Sequence, residues 1–471
     1  MGCSYEEAKV RWYISNLLRT KDLSPKVMEI VMDWAKDKGD ILGFDETEME
    51  NAGKAENPEA NLRRQEIFLA GLGKHPSRFG TATKSPVEKM LRKVGGLFRL
   101  SPVEQEVFGL FVRLGTQEYI LDLVDDLSGS PRRGRKKPLT FFDCIVRMLN
   151  GKPREIAEAL LPSGKLEGCG LIEYPTHVNC LELTDKIKSI FSEAGLELRT
   201  ADLKKELIGQ CQTPSLAWSD FGHLGTEREL LERLLSGAVK AQSRGINILL
   251  HGKPGTGKTE FCRTLARQVG LSLYSVAEQD DRGNEPKRHE RMEGLRMLQE
   301  ILAGDPTAAI MFDEAEDVFG SLRGYCEGPP SKVYMNRMLE SSRQPVFWLT
   351  NDAASMDRAF LRRMTYCLEM SELPLIVRLA ISQKECRRKK LKVNGAELAK
   401  MVQEYDLPPG VFSNAVNVAS LAGGKLDVVR QVVGASEKIL GIRRNLVKPP
   451  ETFELDLIQT DVPLAQIASS I

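Results

Sequence analysis

Four short apolar runs without polar alternation mark the second half of the chain: Ile246–Leu250, Leu271–Val276, Ala308–Phe312 and Val346–Thr350. A strand covered on one face alternates apolar and polar residues, whereas a strand covered on both faces reads as a continuous apolar run. The stretches between these runs carry helical spacing. Strands and helices therefore alternate, as in a doubly wound α/β module with a parallel sheet. Beyond Pro374 the pattern is helical, with breaks near Asn394-Gly395, Pro408-Pro409 and Gly423-Gly424. It predicts helices near Ile376–Arg388, Ala396–Tyr405, Gly410–Leu421 and Leu426–Leu440.

The first half reads as helices broken by polar loops. Val27–Asp37 has helical spacing and Asp45–Ala60 is charged and loop-like. Pro102–Val124 reads as two helices, with Val103, Val107, Leu110, Phe111 and Val112 recurring near a period of about 3.6. The stretch Ser128–Pro138 is basic and bounded by Pro and Gly, which predicts a solvated loop. Its Arg133-Gly134-Arg135 core is similar to an AT-hook, a motif that places arginines in the DNA minor groove. Phe141–Leu149 follows as an apolar helix, and Lys152–Leu160 as a short helix started by Pro153. Next come Gly168, Gly170, Leu171 and Ile172. A short strand over Cys180–Thr184 then leads into a helix over Asp185–Phe191. This order resembles winged-helix domains, which read DNA or dock proteins; the alternative is a small helical packing domain. No internal repeat is visible.

Totals narrow the function classes. The chain has 471 residues, enough for several domains, and a formal net charge of +1, which argues against a globally basic nucleic-acid binder. Hydrophobic residues make up 42%, so cores can form, and no apolar run reaches the roughly 18 residues of a membrane helix. Met1-Gly2-Cys3-Ser4 has the start of an acylation signal, but Glu6 stands where that signal wants Ser or Thr, so an ordinary terminus without a secretory leader is expected. The 9 cysteines lie without a CxxC pair, which fits a reducing cytoplasm.

The chemistry concentrates in two places. Gly252-Lys253-Pro254-Gly255-Thr256-Gly257-Lys258-Thr259 matches the phosphate-loop pattern GxxxxGK[ST] in full, between a strand and the helix that starts at Glu260. Glycines let backbone N–H groups wrap a phosphate, and the helix N-terminus adds its positive end. Lys258 would reach the β- and γ-phosphates of ATP, and the Thr259 hydroxyl would ligate Mg²⁺. Some fifty residues on, the run Thr307–Phe312 delivers Asp313 and Glu314 at a strand end. Asp313 would hold the Mg²⁺ shell and Glu314 would act as general base on water.

The order of phosphate loop, Asp313-Glu314, a strand ending in Asn351, and paired arginines resembles the AAA+ ATPases, in particular the core AAA clade. The resemblance covers about residues 216–440. It implies a P-loop NTPase sheet with a C-terminal helical lid, ATP and Mg²⁺ as cofactors, and a homo-oligomeric, hexameric ring. Asn351 falls at the sensor-1 position. Met356–Arg363 is similar to the LDPALLRPGR box, which puts Arg362 at the arginine finger and lets Arg363 stand in for the second arginine. Trp218–Gly225 is similar to the F-D-D-I-G-G segment, making Asp220, Phe221 and Gly222 adenine contacts through their backbone; His223 reads as structural. Gly410–Asn414 has no sensor-2 arginine, as in the core clade. The stretch Ala277–Arg291 lacks the aromatic pore loop of unfoldases and reads as a solvated charged loop. The tail from Glu451 to Ala468 resembles the linker that precedes a second ATPase module in bacterial tandem AAA proteins.

The expected division is 1–127 helical, 128–210 partly winged-helix-like with the basic loop, 216–373 α/β, 374–445 lid and 446–471 tail. Two functions follow. One is ATP hydrolysis coupled to remodelling of a protein or nucleic-acid partner. The other is a nucleotide-dependent, DNA-bound regulator or scaffold, contacting DNA through the N-terminal half.

Overall fold

In a computed structural model of the chain, β3 (Asn247–His251), β4 (Ser272–Ser275), β5 (Ala308–Phe312), β6 (Val346–Thr350) and β7 (Tyr366–Glu369) form one parallel sheet in the order β4-β5-β6-β3-β7. The described residues are 5–20, 23–36, 38, 58–72, 85–128, 138–161, 164–173, 181–276, 286–319, 332–405 and 408–440. The N-terminal tetrapeptide, residues 129–137 of the basic loop, residues 277–285 and the tail from 441 onward lie outside them, as does most of the expected loop over 45–60. Its last residues instead begin the helix Pro58–Gly71.

The runs of β5 and β6 are buried along their whole length and β3 is buried up to Leu250, whereas in β4 only Leu273 is buried; in the buried runs successive residues serve opposite faces. Leu249, Ala308, Ile310, Phe312, Val346 and Trp348 belong to one core. Ile248, Leu250, Ala309, Met311, Phe347 and Leu349 belong to another, shared with the helix Lys258–Val269. This is the period of two that a strand imposes. β7 was not among the strands expected from the sequence. It lies at the sheet edge, with only Leu368 buried among its residues, so no apolar run announces it. At the opposite edge, the Gln212 amide donates to the Leu273 carbonyl at 2.7 Å and covers part of β4.

The first of the two cores does not stop at the sheet. It continues through the helix Arg288–Leu302 into the N-terminal helices. Helices Pro86–Phe98 and Thr200–Ile208 pack on Arg288–Leu302, and Lys165 reaches Glu300 at 3.8 Å. Local sequence fixes these helix starts. Ser101 and Glu104 form a reciprocal capping box at Pro102, as do Thr140 and Asp143 at Phe141. The lid helices Leu375–Arg388, Gly395–Glu404, Pro409–Leu421 and Leu426–Leu440 have a separate core.

The winged-helix-like segment contains the expected helices Phe141–Leu149 and Pro153–Ala159, then β1 (Ile172–Glu173) paired antiparallel with β2 (Glu182–Leu183). The helix before the strand pair is only Lys165–Gly168, and Gly168 faces the Arg296 guanidinium of the α/β module. Four residues of helix packed on a neighbour leave little to lay in a DNA groove.

A buried arginine ties the N-terminal helices together. Arg113, 1% exposed, donates from Nε to Glu6 Oε2 at 2.8 Å, from Nη2 to Glu88 Oε1 at 2.7 Å and from Nη1 to the Gly109 carbonyl at 3.0 Å. Removing one member leaves the remaining charges uncompensated in a poorly hydrated site. Arg113→Met is expected to cost about 3–5 kcal/mol, read as a lower urea midpoint by circular dichroism; an unchanged midpoint would show that packing alone holds these helices.

Candidate functional site

The phosphate loop turns at three glycines in the left-handed range: Gly252 at φ 139°, Gly255 at 79° and Gly257 at 93°. At Gly252 a side chain would also run into the Met370 carbonyl that follows β7. Gly255 lies beside Pro408 of the lid. Thr256 Oγ1 closes the loop by donating to the Lys253 carbonyl at 3.0 Å, and Lys253 pairs with Glu372, just before the lid. The helix Lys258–Val269 then starts with its first N–H groups directed at the loop, a ready anion site.

Lys258 lies across this loop. Its ammonium donates to the carbonyls of Gly252 at 2.7 Å and Lys253 at 2.9 Å, and to Asn351 Oδ1 at 2.8 Å. Burial lowers its pKa, opposed by the negative charges of Asp313 and Glu316. Thr259 Oγ1 donates to Asp313 Oδ2 at 3.2 Å. These two oxygens are the pair expected at a hard divalent cation, and both line the same cleft. Glu314 follows at φ 53°, an uncommon conformation for a residue other than Gly. Burial raises its pKa, and Asp317 adds to the shift.

The residues expected from the sequence separate into three groups. Lys258, Thr259, Asp313, Glu314 and Asn351 line one cleft of about 720 Å³ together with Pro254, Gly255, Thr256 and Gly257. Asp220 and Phe221 line it from the leading segment, a 3₁₀ turn over Trp218–Leu224 pinned by edge contact of Phe221 with Phe261 at 5.2 Å. Gly222 lies between Phe221 and His223 in that turn. Two members face other work. Glu260 lines the cleft but accepts from Ser215 N and Oγ at 2.9 Å and pairs with Arg263. The Asp220 carboxylate is held by Lys384 of the lid at 2.5 Å. The Lys384 bond holds its pKa low, although burial, the largest influence, pushes the other way.

Arg362 and Arg363 are not in the cleft. They precede Thr365, whose amide donates to the Asn247 carbonyl at the starting end of β3. The phosphate loop is at the other end, a strand length of about 13 Å away. Arg363 pairs with Glu340 at 2.9 Å and donates to the Ala359 carbonyl. Arg362 is exposed, and its side chain has no polar partner among the described residues.

Two residues were not singled out by the sequence. Glu316 Oε1 accepts from the Asn351 amide N at 3.2 Å and its Nδ2 at 3.4 Å, so Glu316 orients the Asn351 side chain toward Lys258. His223, read as structural, lines the cleft; its Nδ1 is buried without a partner among the described residues, and burial lowers its pKa. The charged stretch over Ala277–Arg291 also needs correction. Its end is a helix from Arg288, started by Glu290 accepting the Lys287 amide at 2.7 Å, and Arg291 is buried.

Residues 248–372 match the family described as ATPase family associated with various cellular activities (AAA). The 26S proteasome regulatory subunit 6B homolog of Saccharomyces cerevisiae is 23% identical over 385 residues, covering 74% of this chain and 84% of that protein. Proteasome-activating nucleotidase 2 of Halobacterium salinarum is 29% identical over 161 residues, covering 32% of this chain and 38% of that protein. The peroxisomal ATPase PEX6 of Rattus norvegicus is 29% identical over 189 residues, covering 36% of this chain and 19% of that protein.

The loop geometry makes Lys258 the sharpest test of the cleft. Hydrogen bonds to charged groups carry about 1.5–3 kcal/mol each, so Lys258→Ala is expected to weaken nucleotide binding about 100-fold or more. Titration with a fluorescent ATP analogue reads this directly; wild-type affinity in the variant would mean that the loop binds no phosphate.

Proposed function

We propose that this chain, an AAA+ ATPase by its module at residues 248–372, couples Mg²⁺-dependent hydrolysis of ATP to the remodelling of a macromolecular partner. The observation that carries the reading is the convergence of Lys258, Thr259, Asp313, Glu314 and Asn351 on one cleft, with Arg362 exposed at the opposite end of the sheet.

In this reading the phosphates lie in the loop Gly252–Gly257, against its backbone N–H groups and the Lys258 ammonium. Thr259 and Asp313 would hold Mg²⁺, which would supply charge compensation to the phosphates. Lys258 gives up its bonds to Gly252, Lys253 and Asn351 for phosphate oxygens. Asn351, steadied by Glu316, is then free to orient the attacking water. Glu314 takes the proton from that water, and its raised pKa makes it a stronger acceptor than an ordinary surface carboxylate. The lid closes the base end of the cleft through Ile381, Pro409 and Ser413.

Among the described residues the arginine that lines the cleft is Arg388 of the lid, and the α/β module contributes none, since Arg362 and Arg363 lie at the far end of β3. The proposal therefore places Arg362 in the site of a neighbouring subunit, in a hexameric ring. Arg363, engaged with Glu340, is the supporting member of the pair. The proposed division assigns 216–373 to turnover and 374–445 to the lid. It makes 1–127 and 128–210 a platform fixed to the module, and 446–471 a tail or linker. The cysteines among the described residues are free, which supports a reducing, cytoplasmic setting. No helix among the described residues is long and apolar enough to cross a membrane.

Two measurements test this. Glu314→Gln is expected to bind ATP but lose about 10²–10⁴ of turnover; near-normal turnover would mean that another group activates the water. Arg362→Ala is expected to lose about 10³-fold or more. Mixing it with Glu314→Gln should restore part of the activity, because a mixed interface pairs an intact base with an intact finger. A concentration-independent, fully active monomer would overturn the ring.

A further inference from the structure

One buried cation lies behind the site and does not itself line the cleft. Arg291, on the first turn of Arg288–Leu302, is 5% exposed, and its guanidinium lies over the Phe312 ring at 4.4 Å from the centroid. Its Nη1 donates to the Glu314 carbonyl at 3.3 Å and to Asp317 Oδ2 at 2.8 Å, and its Nη2 donates to the Asp313 carbonyl. One planar group thus holds the carbonyls of both residues on which the site depends, and a carboxylate three residues beyond Glu314.

This grip falls on the most strained point of the site. Glu314 sits at φ 53°, a conformation unfavourable for a residue that carries a side chain, which persists only where its surroundings over-determine it. The other restraints are the Glu314 amide donating to Asp313 Oδ1 at 2.9 Å, the Asp317 amide donating to the Glu314 carbonyl at 3.2 Å and the Ala315 amide donating to the Leu349 carbonyl at 2.8 Å. Among the described residues none of these holds the Asp313 carbonyl, and none ties it to the Glu314 carbonyl as the Arg291 fork does. A relaxed turn would swing the Glu314 side chain away from the phosphate loop without disturbing the loop itself.

We infer that Arg291 is a positioning residue for ATP hydrolysis, locking the Asp313–Glu314 turn so that the Glu314 carboxylate presents to the cleft. The inference rests on Glu314 being the base. It requires arginine in particular: stacking on Phe312 and bonding two carbonyls and a carboxylate at once uses a planar fork, which a lysine ammonium cannot reproduce.

The test is a double-mutant cycle on the full chain, with steady-state kinetics, binding of a fluorescent ATP analogue and a thermal midpoint for each variant. Arg291→Met is expected to lower kcat about 100-fold, the scale of a displacement of about 1 Å in a reacting group, with KM and analogue affinity near wild type. Arg291→Lys is expected to fall between Met and wild type. In the Glu314→Gln background, Arg291→Met should add no further loss, because the residue acts through the base. Should Arg291→Met fail to fold, Arg291→Lys carries the same cycle. Unchanged kcat in the folded variants, losses that add to that of Glu314→Gln, or a loss matched by weaker analogue binding would each overturn the inference. Retained turnover in Glu314→Gln alone would instead overturn the assignment of the base.

Discussion

Everything in this molecule follows from a parallel sheet that must be covered twice. β3, β5 and β6 alternate their side chains between two cores, and neither face can be left to water. One face is closed by helices of the module itself. On the other, Arg288–Leu302 lies against β5 and carries apolar residues beyond what the sheet can cover, among them Met292, Leu295, Leu298 and Ile301. The N-terminal helices complete that cover. Their own integrity rests on Arg113, so a buried charge network far from the cleft supports the layer beneath the sheet.

The chemistry sits where this architecture leaves backbone groups free. At the C-terminal ends of β3, β5 and β6 the chain must turn, and the turns expose N–H groups, carboxylates and an amide to one cleft. What surrounds them divides by direction. From above, the lid holds the leading segment through Lys384 and Asp220 and touches the phosphate loop at Gly255. From below, Arg291 holds the strained turn at Glu314. The cleft is thus gripped by one element that can move with the lid and one anchored in the core.

Much of this was legible in the residues. A continuous apolar run says that a strand is covered on both faces, and the glycine spacing says that a backbone wraps an anion, so Lys258, Thr259, Asp313 and Glu314 could be placed on one cleft from the residues themselves, and Asn351 through the resemblance to the AAA+ ATPases. The lid helices were readable for the same reason, through breaks at Gly and Pro. β7 was not, because an edge strand has one exposed flank and Tyr366-Cys367-Leu368-Glu369 carries no run to betray it. Arg291 was hidden by its company: it ends a string of charges that pattern assigns to water, and only the packing of Phe312 and the turn beyond it shows that one of those charges points inward. Pattern names the face that must be covered, never the partner that covers it. The shared core between the two halves of the chain was therefore invisible, and so was the covering of the short helix Lys165–Gly168 by Arg296.

That shared core has a consequence for how such a chain can change over generations. In an assembly of tethered domains, each unit can be exchanged, lost or replaced while the rest keeps its fold. Here Arg288–Leu302 belongs to both halves at once, with Leu295 and Leu302 fully buried and Thr200–Ile208 and Pro86–Phe98 seated on it. A substitution on one side of that contact alters the volume available to the other. The N-terminal helices and the nucleotide module are thus bound to a common history, and drift in one is admissible only as far as the other can follow.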